Sequence, residues 1–247
     1  DFREVAPLAS DPEMWLVDGE YSFEKHHMSY QSVGVPGTVR GLHLAWQEHG
    51  KLPWKRLVKP AIRLARDGIT VTHGLARSLK RHLPRMKKYP ATIAQYSNKG
   101  KPFVAGDLLK QVDLARTLQR IASKGPDGFY AGKTADLIVQ EMERNGGLIT
   151  HADLAAYRAK KRVPTTGTYR GYEIISMPPP SSGGTALVEM LNILEGFDLT
   201  ESGFGTTVTL HRMVEAMRRA FHDRARYVGD PDFNTSMPLA KLMSKEY

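Results

Sequence analysis

Apolar residues recur at helical spacing along most of this chain. Between Thr38 and His49 the positions Val39, Leu42, Leu44, Ala45 and Trp46 suit a short helix stopped by Gly50. Pro53 precedes a second apolar pattern made of Leu57, Val58, Ala61, Ile62, Leu64 and Ala65. Gly68 then serves as a helix stop, because glycine takes positive φ without a Cβ clash. The same period predicts helices over about 73–83, 107–123 and 133–144. The middle one presents Leu108, Val112, Ala115, Leu118, Ile121 and Ala122 on one face and ends at Gly125-Pro126. The third turns Ala135, Leu137, Ile138 and Met142 inward, ahead of Asn145-Gly146-Gly147. Thr150 and Asp153 have the spacing of a capping box, in which each side chain satisfies an orphan N–H at a helix start. Residues 1–35 lack a clear period, and Gly19 and the run Glu24-Lys25-His26-His27 read as loops.

The character changes near Lys160. Arg162-Val163-Pro164, Thr166-Gly167-Thr168-Tyr169 and Tyr172-Glu173-Ile174-Ile175-Ser176 read as strands, the last two joined by a turn at Arg170-Gly171. Pro178-Pro179-Pro180 blocks helix and supplies no backbone donors. Ser182-Gly183-Gly184 then opens an apolar helix carrying Ala186, Leu187, Met190, Leu191 and Leu194. A last long helix runs from about Thr207 to Val228, with Leu210, Met213, Val214, Met217 and Phe221 as its expected buried stripe, and Gly229-Asp230-Pro231-Asp232 ends it. The pattern is that of a helix-rich α+β chain. No internal repeat or domain boundary is marked, so residues 1–247 read as a single region.

Composition narrows the chemistry. The absence of cysteine excludes a thiol nucleophile, thiolate metal sites and disulfides. No run approaches the roughly 18 apolar residues that span a bilayer. The net charge of +9 favours acidic partners. Its densest stretch, Lys80-Arg81-His82-Leu83-Pro84-Arg85-Met86-Lys87-Lys88-Tyr89, reads as a solvated helix end and loop. The rival reading is a noncatalytic binding module for polyanions, whose salt-sensitive binding would be lost on neutralising Lys80, Arg81, Lys87 and Lys88.

Few residues point to a reaction. The Arg3 guanidinium is a planar fork of donors that matches a carboxylate; its plain reading is a surface pair with Asp1 or Glu4. Ser181-Ser182-Gly183-Gly184 does not fit a strand-turn-helix nucleophile elbow. Ser182 is expected to cap the helix, and the glycines to allow close packing. The histidines are scattered. His211 and His222 lie three helical turns apart, roughly 16 Å, too far to share a metal. Asp230-Pro231-Asp232 reads as a helix-stop turn. Phosphate-binding glycine loops are absent, and no cofactor or metal is expected.

Ordered blocks of sequence carry a resemblance. They are Asp1-Phe2-Arg3-Glu4-Val5-Ala6-Pro7, Val35-Pro36-Gly37-Thr38-Val39-Arg40-Gly41, Lys51-Leu52-Pro53-Trp54, Gly125-Pro126-Asp127-Gly128-Phe129-Tyr130, Leu154-Ala155-Ala156-Tyr157, Tyr169-Arg170-Gly171-Tyr172-Glu173, Pro178-Pro179-Pro180-Ser181-Ser182-Gly183-Gly184 and Tyr227-Val228-Gly229-Asp230-Pro231-Asp232-Phe233. Together they resemble the large-subunit segment of γ-glutamyltranspeptidases, which are N-terminal-nucleophile hydrolases. The resemblance implies the helix-rich part of a four-layer αββα sandwich, incomplete at both ends. It also implies a precursor that cleaves itself, releasing a small subunit whose N-terminal Thr, expected beyond Tyr247, attacks the γ-amide of glutathione or a related γ-glutamyl compound. Water, an amino acid or a peptide amine then resolves the acyl-enzyme. Arg3 is implied as the residue that binds the substrate α-carboxylate. Ser181 and Ser182 receive no catalytic role, because the substrate-binding Ser pair of the family belongs to the other subunit. A periplasmic, secreted or outward-facing placement is implied as well. A cephalosporin-acylase-like or poly-γ-glutamate-processing member of the family is the near alternative. The 247 residues alone are expected to show no turnover.

Overall fold

The computed structural model describes residue 1 and residues 3–247; Phe2 of the opening block lies outside the described residues. The chain forms two compact units, Asp1–Lys160 and Lys161–Tyr247.

The first unit begins with a small hairpin, β1 (Leu16–Val17) and β2 (Glu20–Tyr21), turning at Asp18 and Gly19 in left-handed conformations. Helix α1 (Phe23–Met28) follows, so the Glu24–His27 run is helical and not a loop. Two local causes account for it. The Ser22 hydroxyl accepts the Lys25 N–H as an N-cap, and His26 stacks on Trp15 while His27 packs on Phe23. Helices α2 (Thr38–His49) and α3 (Trp54–Asp67) match the apolar period, and α3 stops at Gly68 with φ +99°. Strand β3 (Ile69–Thr70), α4 (His73–Met86) and α5 (Pro90–Tyr96) come next. Strand β4 (Leu108–Leu109) pairs antiparallel with β3. The expected 107–123 helix therefore starts late, as α6 (Val112–Lys124), because its first residues join that ladder. Helix α6 packs on α3. Helices α7 (Asp127–Tyr130), α8 (Gly132–Asn145) and α9 (His151–Ala156) complete the unit. Its core gathers Val35, Tyr130, Ala135, Val139, Met142, Ile149, Leu154 and Tyr157. Leu137, expected inward, is half-exposed.

The second unit opens with an antiparallel hairpin, β5 (Thr165–Tyr169) and β6 (Tyr172–Ser176), in which Thr165 faces Ser176 and Tyr169 faces Tyr172. Arg162-Val163-Pro164 is not a strand. Val163 is exposed, Pro164 has no N–H to give, and Arg162 instead pairs with Asp232 at 2.8 Å. Helix α10 (Gly183–Glu195) lies on the hairpin, and α11 (Leu199–Ser202), α12 (Thr207–Tyr227) and α13 (Leu239–Leu242) follow.

Helix α12 corrects the periodicity reading. Its buried residues are Thr209, Ala216, Ala220 and Asp223, and α10 packs on α12. The large stripe is outside: Val214 is 57% exposed and Phe221 49%, with Leu210, Met213 and Met217 also exposed. Periodicity identifies an apolar face but not its partner, and small side chains let two helices approach more closely. An exposed stripe this large is expected to bind hydrophobic dyes. The double change Val214→Glu with Phe221→Glu should lower dye fluorescence of the 247-residue chain severalfold and shift its melting by only a few degrees. Unchanged fluorescence would show that the stripe is covered.

Candidate functional site

Arg3 sits on a loop fastened to the first unit at widely separated points. Asp1 N donates to the Lys160 carbonyl at 2.7 Å, and Lys160 N–H donates back to the Asp1 carbonyl at 2.9 Å. The Tyr157 hydroxyl donates to the Arg3 carbonyl at 2.8 Å. Val5 and Val35 exchange backbone bonds of 3.3 and 2.8 Å. Leu8 N–H donates to Asp153 Oδ1 at 2.7 Å. Arg3 itself meets Asp1: its N–H donates to Oδ1 at 3.1 Å, and its Nε lies 3.4 Å from Oδ2. The plain pairing with Asp1 is thus present, yet the Arg3 side chain remains 33% exposed.

The supports of this loop are buried and polar. Asp153, 4% exposed, forms the expected capping box with Thr150: Oδ2 accepts Thr150 N–H at 2.8 Å and its hydroxyl at 2.6 Å. Its other oxygen holds Leu8, so one carboxylate both starts α9 and ties down the Arg3 loop. Desolvation pushes this carboxyl up, but the bonds from the Thr150 hydroxyl, Leu8 N–H and Thr150 N–H together outweigh it, and its pKa is lowered from 3.8. A depressed carboxylate stabilises the fold above its unfolded pKa, and that stability is lost as pH falls through the folded value. Between pH 5 and pH 3 the chain should therefore lose stability, and Asp153→Asn should lose less over the same interval. Parallel denaturation profiles for the two would contradict this. Tyr157 stacks on Tyr130 with ring centroids 5.7 Å apart. Burial pushes the Tyr130 phenol up to about 12, so it stays a donor, to the Pro36 carbonyl at 2.7 Å.

The other sequence candidates lie apart from chemistry. Ser182 does not cap α10. Its Oγ accepts from Arg224 Nε at 2.7 Å, while Ser181 Oγ accepts Gly183 N–H at 3.2 Å. The backbone explains this, because Ser182 already has helical φ and ψ whereas N-cap residues are normally extended. Asp230-Pro231-Asp232 is a turn, with Asn234 N–H bonded to the Asp230 carbonyl at 2.7 Å. Among the described residues no three His, Asp or Glu side chains converge as a metal site. In the basic stretch, α4 buries Leu79 and Leu83, and Lys88 pairs with Glu24. No helix among the described residues is long and apolar enough to cross a membrane.

The family model for γ-glutamyltranspeptidase matches residues 1–247. The chain belongs to the γ-glutamyltranspeptidase family. It is 45% identical to the glutathione hydrolase proenzyme of Escherichia coli strain K12, over all of this chain and 43% of that protein. It is 43% identical to the acylase ACY 1 proenzyme of Pseudomonas sp. strain SE83, over 88% of this chain and 39% of that protein. The crystal structure of Helicobacter pylori γ-glutamyltranspeptidase superposes with a TM-score of 0.97 at 43% identity, covering 100% of this chain and 71% of that one. The chain thus spans less than half the length of the curated relatives it matches. Its fold is the helix-rich part of this family of N-terminal-nucleophile hydrolases, as the sequence blocks imply.

Within this γ-glutamyltranspeptidase segment, the sequence marks Arg3 as a candidate and Thr150–Asp153 as a capping box, but not the contacts that connect them. Tyr157 was visible only as a block residue and Asp153 only as a cap. The contacts Tyr157–Arg3 and Asp153–Leu8 bridge about 150 positions, and no local pattern marks them.

Proposed function

We propose that the protein containing this chain transfers or hydrolyses γ-glutamyl groups, cleaving the γ-amide of glutathione and related compounds. In this reading Arg3 binds the substrate α-carboxylate, and a Thr outside these 247 residues is the nucleophile. An N-terminal Thr supplies both a hydroxyl and, in its own amine, the adjacent base. Preorganised N–H donors would stabilise the tetrahedral oxyanion. Arg3 would hold the γ-carbonyl within attack distance, converting a bimolecular encounter into an oriented one. The partner is a small subunit from the same precursor, and the acceptors are water, amino acids or peptides. The name proenzyme borne by the E. coli relative supports a cleaved precursor. An outward-facing, periplasmic or secreted placement goes with this reading.

The observation that carries it is the Arg3 loop. The Arg3 guanidinium is carried on a backbone fastened by Tyr157, Val35, Asp153 and Lys160. Such fastening is what a positioning residue needs and what a casual surface arginine lacks. The acylase relative favours a second reading, an acylase acting on another amide. The test is turnover by the intact, self-cleaved protein of a chromogenic γ-glutamyl anilide, beside the same compound with its α-carboxylate amidated. Fast hydrolysis of the first, and at least tenfold slower hydrolysis of the second, is expected. No turnover of either, with turnover of an acylase substrate, would replace the γ-glutamyl reading by the second.

A further inference from the structure

A cavity of about 810 Å³ in the second unit is built around two buried carboxyl groups. Glu189 of α10 is 4% exposed and Asp223 of α12 is 7% exposed, and both line this cavity where the two helices pack together. Residues 239–247 pack beside them. The Tyr247 hydroxyl donates to Asp223 Oδ2 at 2.8 Å, Asn192 Nδ2 donates to the Met243 carbonyl at 2.9 Å, and Leu242 is buried.

The cations around the cavity are committed elsewhere. Arg218 and Arg219 of α12 both bind Glu215, at 2.8 and 2.5 Å. Lys245 binds Glu195 and the Thr168 carbonyl. His222 of α12 is the remaining titratable group on the wall. Two carboxylates buried side by side at one cavity repel strongly, and a shared proton removes that repulsion.

We propose that Glu189 and Asp223 share one proton across the α10–α12 contact, and that its loss on raising the pH loosens this contact and the hold of the pair on residues 239–247. With the proton present, the Glu189 carboxyl donates to Asp223 while Tyr247 caps the other Asp223 oxygen. Without it, the helices must separate or admit water to solvate two negative charges. Burial, then the Asp223 charge, then the hydrogen bond to Asp223, raise Glu189 from 4.5 to about 7. A carboxyl with a raised folded pKa stabilises most below its unfolded value, and that stability is lost as pH rises through the folded one. The active interval is thus about pH 4.5 to 7, and above it the loss is complete.

The experiment is chemical denaturation of the 247-residue chain at several pH values, wild type beside Glu189→Gln. The amide keeps a donor for Asp223 and cannot titrate. Relative to Glu189→Gln, the wild-type folded-to-unfolded ratio should fall on the order of 10²-fold between pH 5 and pH 8. Hydrogen exchange at 241–247, corrected for its intrinsic pH dependence, should rise in the wild type only. His222→Gln should keep the wild-type profile. Parallel profiles for wild type and Glu189→Gln, or a flat profile for His222→Gln, would overturn the proposal. Should Glu189→Gln fail to fold, ¹³C NMR titration of the wild-type glutamate carboxyls decides. A glutamate titrating near 7 sustains the shared proton, and titration of all of them near 4.5 ends it.

Discussion

Replacing Arg3 with Ala in the intact protein is expected to lower kcat/KM for a γ-glutamyl anilide by about 10²- to 10³-fold. Removing one partner of a hydrogen-bonded charge pair costs about 3–4 kcal/mol, and each tenfold in rate corresponds to about 1.4 kcal/mol. Because the α-carboxylate is present before and during the reaction, much of the loss should fall on KM, and any misplacement of the γ-carbonyl on kcat. Arg3→Lys should recover only part of it, since an ammonium keeps the charge but not the fork. Tyr157→Phe separates anchoring from support. It leaves the guanidinium and removes the bond to the Arg3 carbonyl, so a smaller decline, about fivefold from roughly 1 kcal/mol, is expected. Steady-state kinetics on the four proteins would check the order. An Arg3→Ala enzyme as active as the wild type would retain the reaction and remove Arg3 from it.

Much of the local structure was legible because its causes are local. Helices α2, α3 and α8 follow from apolar spacing, the β5–β6 hairpin from its turn at Arg170-Gly171, and the start of α9 from Thr150 and Asp153. Failures arose where a distant partner decides. Helix α1 depends on Trp15 stacking against His26, and the strand at Leu108 depends on Ile69 and Thr70. On α12 the stripe of large residues was real, but α10 took the face with Ala216 and Ala220. The change of character near Lys160 falls at the junction of the two compact units. Of the candidate site, Arg3 itself was visible through its sequence block. Its fastening was not, because Tyr157 and Asp153 act on residues far away in the chain. Nothing in the apolar spacing of α10 or α12 marks Glu189 or Asp223. Only the packing of α10 on α12 buries them together.

The glycine pair that opens α10 offers the sharpest structural contrast. Gly183→Ala and Gly184→Ala are neighbouring changes of a single hydrogen for a methyl group, yet their expected effects differ widely. A Cβ at Gly183 would meet only the Ser181 hydroxyl, at 3.3 Å, a side chain that can rotate away. Alanine is also the better helix former by about 1 kcal/mol, so this change should be close to neutral. A Cβ at Gly184 would lie 2.2 Å from the Met177 carbonyl oxygen and 2.9 Å from Thr165 Cβ. Both neighbours are fixed. Met177 accepts the Gly184 N–H at 3.2 Å, and Thr165 is held in the β5–β6 ladder. Relief would require the helix to move off the hairpin, so a loss of about 3 kcal/mol is expected, at the upper end for overpacking. Thermal denaturation of the two variants would check this. A drop of several degrees or more in Tm for Gly184→Ala, with Gly183→Ala near the wild type, assigns the second glycine to packing of α10 against β5. Equal and small effects would mean that the hairpin yields, and that the reason for a glycine at 184 lies elsewhere than in close approach.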